Sequence, residues 1–180
     1  MNDLTRRKIL IEQMRALEER GMGCVGCPGT CCTFEANSML LTPLEAKELF
    51  DYLKNSGQFN QALKEKLQET VRKYRLEPKY PHQRKSFLRK TYTCPFFEHQ
   101  ELGCPLPREI KPYGCLGFDS HHPELKTSEY CYSETELLKK RESAHPEEFN
   151  LNEQIRNVFG ISWEKAPIPN ALLTFADQEQ

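Results

Sequence analysis

Residues 22–33 read MGCVGCPGTCCT, with four cysteines, three glycines and one proline in twelve positions. Glycine and proline weaken helices and strands alike, so this stretch reads as a loop whose purpose lies in its sulfurs. Cys24 and Cys27 are separated by two residues. A tight turn of that length aims both thiolates at one ion, and its amides can donate to them. Gly26, Pro28 and Gly29 suit the turning backbone. Cys31 adds a third sulfur, and Cys32 follows directly. In extended chain the Cys32 side chain would point away from that of Cys31. Three roles stay open for it: ligand to a second ion, bridge between two ions, or unligated thiol.

Four more cysteines, Cys94, Cys104, Cys115 and Cys131, lie within 38 residues after a gap of 61. Cys94-Pro95 and Cys104-Pro105 repeat a Cys-Pro step, and Cys115 follows the turn-forming Pro112-Tyr113-Gly114. Cys131 stands between two tyrosines. A site drawing on both groups would clamp the chain around whatever lies between them. The first twenty residues lack the apolar run and cleavage site of a signal peptide, and no segment is apolar enough to span a bilayer. The expected setting is therefore cytoplasmic, without a membrane. Thiols stay reduced there, and clustered cysteines point to metal rather than disulfides. Four thiolates suit tetrahedral zinc and equally an iron–sulfur cluster. The spacing matches neither common ferredoxin pattern, which favours zinc, with iron or an iron–sulfur cluster as the alternative.

The region between the groups predicts helices. Thr42-Pro43-Leu44-Glu45 combines an N-cap, a proline in the first turn and a glutamate that can reach back, and this helix should run to about Lys54. A second, from about Phe59 to Tyr74, aligns Phe59, Leu63, Leu67, Val71 and Tyr74 on one face. Together they suggest an antiparallel helical hairpin. An N-terminal helix within 1–21, a short strand over Phe87–Tyr92 and a small β hairpin turning at 100–103 are also expected. Further helices would follow over about 133–143 and 151–159, ending in a tail over 163–180 that packs through Trp163, Leu172, Leu173 and Phe175. The fold class is α+β, mainly α, as one domain: a cysteine-cluster core over 22–118, flanked by the N-terminal helix and by C-terminal helices and tail over 132–180. Irregular loops would be stapled by the metal site.

The chain is polar for its 180 residues, at 38% hydrophobic and 28% charged, so such a staple would help a lean core. Its net charge of −1 argues against nucleic-acid binding through a broad basic surface. Arg84, Lys85, Arg89 and Lys90, interleaved with Tyr80, Phe87 and Tyr92, read as a solvated strand face before an RNA-binding one. His99, His121 and His122 lie near the cysteines but read as surface residues, because sulfurs already suffice for two tetrahedral sites. No phosphate loop and no nucleophile elbow is present.

The motif Cys24-x-x-Cys27-x-x-x-Cys31-Cys32, followed by Cys94-Pro95-Phe96, Gly103-Cys104 and Lys111-Pro112-x-x-Cys115, resembles the YkgJ-like cysteine-cluster family. The resemblance covers about residues 22–118 and implies a zinc- or iron-chelating domain. Lys111 and Leu116 stand where that family has arginines, and Cys131 lies outside the matched stretch. A related cluster occurs in flagellin lysine methylases, so the resemblance leaves a modification activity open. The reading is a metal-binding protein with a mainly structural thiolate site formed by Cys24, Cys27, Cys31, Cys32, Cys94, Cys104, Cys115 and Cys131. A metalloenzyme, or a protein for metal storage or delivery, is the alternative. No partner or oligomeric state is legible.

Overall fold

Thr42 opens helix α1, Pro43–Asn55, as its sequence predicts. The Thr42 hydroxyl accepts from the Glu45 amide at 3.3 Å, and the Glu45 carboxylate accepts from the Thr42 amide at 2.9 Å. This reciprocal cap satisfies donors that a helix start leaves bare. The computed structural model describes residues 8, 11, 12, 15, 16, 19, 29–78, 87, 89–101, 103–119, 132, 133 and 146–178. Four helices are placed among them. Helix α2, Gln61–Tyr74, is capped by the Asn60 side chain on the Leu63 amide and ends at Arg75 in the left-handed conformation, φ 51°. Helices α3, Pro146–Val158, and α4, Ile168–Gln178, complete the set.

Two antiparallel pairs of two-residue strands accompany the helices. Strand β1, Leu40–Leu41, pairs with β4, Ala166–Pro167. Strand β2, Phe118–Asp119, pairs with β3, Tyr132–Ser133. The mainly helical α+β class is thus observed. So is a minimal form of the expected hairpin: Glu98 faces Gly103 in an antiparallel bridge, with the Glu98 amide donating to the Gly103 carbonyl at 2.9 Å. The described N-terminal residues Lys8, Ile11, Glu12, Arg15 and Ala16 are helical, and Arg15 forms an ion pair with Glu109.

The core is organised by α4, which packs against both α1 and α2. The hairpin helices are joined largely through it. Phe175 of α4 stacks on Phe50 of α1 at 5.8 Å between ring centres, and Phe59 meets Phe50 edge-on at 4.8 Å. Phe159 closes the group against Phe175 at 5.2 Å. Helix α3 covers α1 and supplies Asn152, whose side-chain oxygen accepts from the Leu44 amide at 2.9 Å.

Four expectations are corrected. The tail over 163–180 packs through Trp163, Leu172 and Phe175 as expected, but it holds a helix, α4, rather than irregular chain. Pro169 lies in its first turn, where no amide is needed. Ala171, Leu172, Phe175 and Ala176 then fall on its buried face. The helix expected over 151–159 begins earlier, at Pro146. Ser133 is in strand β3, not at a helix start, and 134–143 lies outside the described residues. No strand is present among the described residues of 87–92.

Tyr92 is instead a fully buried junction. Its amide donates to the Asn37 carbonyl and its carbonyl accepts from the Asn37 side chain, both at 2.9 Å. Its hydroxyl donates to the Met39 carbonyl at 2.6 Å and accepts from the Ile168 amide at 3.1 Å. Burial holds this phenol well above its ordinary pKa, so it remains a neutral donor.

Among the described residues no helix is long and apolar enough to cross a membrane. Tyr92→Phe removes two buried hydrogen bonds, one to the Met39 carbonyl and one from the Ile168 amide, for an expected loss of about 1–3 kcal/mol. Urea unfolding should show a lower midpoint at unchanged slope. An unmoved midpoint would contradict the role given to this hydroxyl.

Candidate metal centre

The cysteine loop enters the described structure at Gly29, whose φ of 75° favours glycine. Its carbonyl accepts from the Cys32 amide at 2.7 Å, closing a 3₁₀ turn over Thr30–Cys32. Gly29 also lies against Phe97, where an added Cβ would come within 2.0 Å of the ring. Two independent constraints therefore fix this residue. Because the chain turns here, Cys31 and Cys32 do not point apart. Their sulfurs lie 4.0 Å from each other. This corrects the extended-chain expectation, since successive side chains oppose each other only in a strand.

The Cys32 carbonyl accepts from the Cys94 amide at 2.7 Å, so the two cysteine groups are joined through the backbone. Nearby, the Thr93 hydroxyl accepts from the Phe34 amide at 3.2 Å and lies 2.8 Å from the Tyr74 hydroxyl. Beyond Cys94 the chain turns, with the Phe97 amide donating to the Cys94 carbonyl at 3.1 Å, and returns through the Glu98–Gly103 bridge to Cys104. Cys115 begins another 3₁₀ turn, its amide donating to the Pro112 carbonyl at 2.9 Å. Glu45, almost wholly buried, holds that turn from the side. One carboxylate oxygen caps α1 while the other accepts from the Tyr113 amide at 2.9 Å.

Cys32, Cys94, Cys104 and Cys115 thereby share one electrostatic neighbourhood. Burial pushes the Cys94 thiol well above its ordinary pKa, and Cys32 and Cys104 push it further. Burial likewise raises the Cys115 thiol, followed by Cys32, Cys94 and Cys104, while Lys111 opposes the shift. Lys111 and Arg108 are themselves nearly inaccessible, at 3% and 5% exposure.

Charge effects reach farther than metal–sulfur bonds. Among the described residues, no three His, Cys, Asp or Glu side chains converge closely enough to hold a metal ion as they stand. The four sulfurs form a neighbourhood rather than a closed coordination sphere. Its chemistry nevertheless suits a soft ion, because the donors are thiols, with Cys94 buried and Cys32, Cys104 and Cys115 half-buried. Cys24, Cys27 and Cys131 lie outside the described residues, as do His121 and His122. His99 is exposed, edge-on to Phe97 at 4.8 Å, in keeping with a surface residue. Tyr92 is buried and cannot stack on a base, and Arg89 donates to the Ser38 hydroxyl at 3.0 Å.

Sequence reasoning missed the positioning roles of Tyr92 and Phe97 and saw Glu45 only as a helix cap. A buried glutamate carries no sequence mark for its second partner. No family model matches the chain, and no curated protein or solved structure gives a significant match.

Gly29→Ala should cost about 1–3 kcal/mol through the unfavourable φ, and more where Phe97 fails to move. Thermal unfolding measures the loss, and the double variant Gly29→Ala, Phe97→Leu should show non-additivity. Additive losses would mean that the ring contact is unimportant.

Proposed function

We propose that this chain is a metal-binding protein in which cysteine thiolates hold a thiophilic ion, zinc first, with a mainly structural role. One observation carries the reading: Cys32, Cys94, Cys104 and Cys115, drawn from separate stretches, share one neighbourhood in which burial and mutual repulsion disfavour uncompensated thiolates. A divalent cation relieves that repulsion and takes the place of the thiol protons. These four residues would hold the ion, drawing together from their present spacing. Sulfur donors favour zinc or iron–sulfur chemistry over magnesium or calcium, which take oxygen. The buried Lys111 charge would offset part of the excess negative charge left by several thiolates around one divalent ion.

Bound metal here supplies folding energy, since the unfolded chain has no preformed site. It also cross-links the Thr30–Cys32 turn, the Cys94–Cys104 turn and the Cys115 turn. The test is metal and acid-labile sulfide content, with a visible spectrum, on protein purified without air. Zinc without colour is the expected result. Iron with sulfide and visible absorption would replace zinc by an iron–sulfur centre. A chain that holds neither metal as purified, and whose melting temperature is unmoved by added zinc or iron under reducing conditions, would reject the reading.

Cys94→Ser should lose metal and stability together. The expected loss is more than about 3 kcal/mol, because binding energy and folding energy are linked. Metal analysis and denaturant unfolding on the same sample check this.

A further inference from the structure

The Cys31 and Cys32 sulfurs lie 4.0 Å apart on adjacent residues. Neighbouring cysteines join each other poorly. Their Cα atoms are about 3.8 Å apart across a trans peptide, whereas a disulfide spans about 4.4–6.8 Å between Cα atoms. A direct bond here would have to close about 2 Å between the sulfurs and would store strain. A single soft atom between them asks for much less. Two sulfurs bonded to one atom at about 2.3 Å lie about 3.3–3.8 Å apart, for bond angles from about 90° to tetrahedral. Small side-chain rotations supply that difference. The backbone holds the pair ready: the Cys32 amide donates to the Gly29 carbonyl, and the Cys32 carbonyl accepts from the Cys94 amide, both at 2.7 Å. Both residues are half-buried, as Cys104 and Cys115 also are, so a small reagent can reach them. What marks this pair is its spacing within one 3₁₀ turn.

Two sulfurs alone select a particular partner. Among the described residues no group of three His, Cys, Asp or Glu side chains converges on an ion, so the pair as it stands is a two-donor site. Zinc needs four donors. A trivalent arsenic atom already bonded to one carbon needs two. We propose that Cys31 and Cys32 form a chelating dithiol site for trivalent arsenicals that carry one organic substituent. The site goes beyond the metal-centre reading, with which it shares only Cys32. With an arsine oxide, two arsenic–sulfur bonds form and the arsenic–oxygen bond breaks. The two thiol protons leave with that oxygen as one water. Arsenic stays trivalent and no electron is transferred.

The experiment uses the full chain as purified without air, in buffer with a phosphine reductant and excess monothiol, with phenylarsine oxide as the probe. Intact mass counts the adducts, and peptide mapping locates them. One phenylarsenic group spanning Cys31 and Cys32 is expected, resistant to the monothiol and removed by a small dithiol. Cys31→Ser should raise the half-saturating concentration about a hundredfold or more, because two-point attachment is lost. Cys31→Ala should do the same, with far-UV circular dichroism reporting the fold, while Cys104→Ser should bind as the unaltered chain does. An adduct that maps to other cysteines, or no adduct, overturns the proposal whatever the variants do. So does unchanged affinity in Cys31→Ser. Metal content of the untreated sample tests the other reading separately. A chain that binds no metal and takes the arsenical at this pair keeps the dithiol site and rejects the metal centre; a chain that holds metal and takes no arsenical does the reverse.

Discussion

The hydroxyl of Tyr92 donates to the Met39 carbonyl and accepts from the Ile168 amide in a place closed to water. Most proteins set the register of distant segments with extended ladders of backbone bonds. Here β1 and β4 are two residues each, too short to hold register alone. One side chain supplies what the ladder lacks. Because the Tyr92 backbone is also bonded both ways to Asn37, the same residue fixes residues 37–39, 92–94 and the start of α4. Cys94 is two positions further on. Its sulfur is therefore placed by the packing of the helical core, although it belongs to the cysteine cluster.

Glu45 makes a second connection of this kind. A carboxylate that caps a helix usually faces solvent; this one is buried and spends its other oxygen on the Tyr113 amide. The start of α1 and the Cys115 turn thus share one charged group. Lys111 lies two residues before that amide and opposes the rise of the Cys115 thiol. The cluster is surrounded by buried charge of both signs, a setting that a plain apolar pocket would not provide. In the proposed centre, the ion would complete an arrangement of charges that the protein has already partly desolvated.

The sequence is read best where the signal is local. Thr42, Pro43 and Glu45 specify the start of α1 through contacts within four residues, and the structure has that cap in full. The turn before Gly103 is likewise local. Long-range features left weaker traces. Strands β1 and β4 are too short to show alternation. The start of α4 carries Pro169 in its first turn, where a proline breaks no hydrogen bond. Tyr92 looked like an aromatic on a basic strand because its burial depends on Ile168, far along the chain. The two-group pattern of the cysteines was visible. The common direction of Cys31 and Cys32 was not, because it depends on a 3₁₀ turn that adjacent residue names do not encode.

Helix α4 fills the space against α1 and α2, yet it follows every other described element in the chain. During synthesis α1 and α2 emerge with their apolar faces uncovered, and the partner that covers both is made last. A topology closed by such distant pairing folds more slowly than one built from neighbours. It also keeps the apolar faces of the nascent chain exposed for longer.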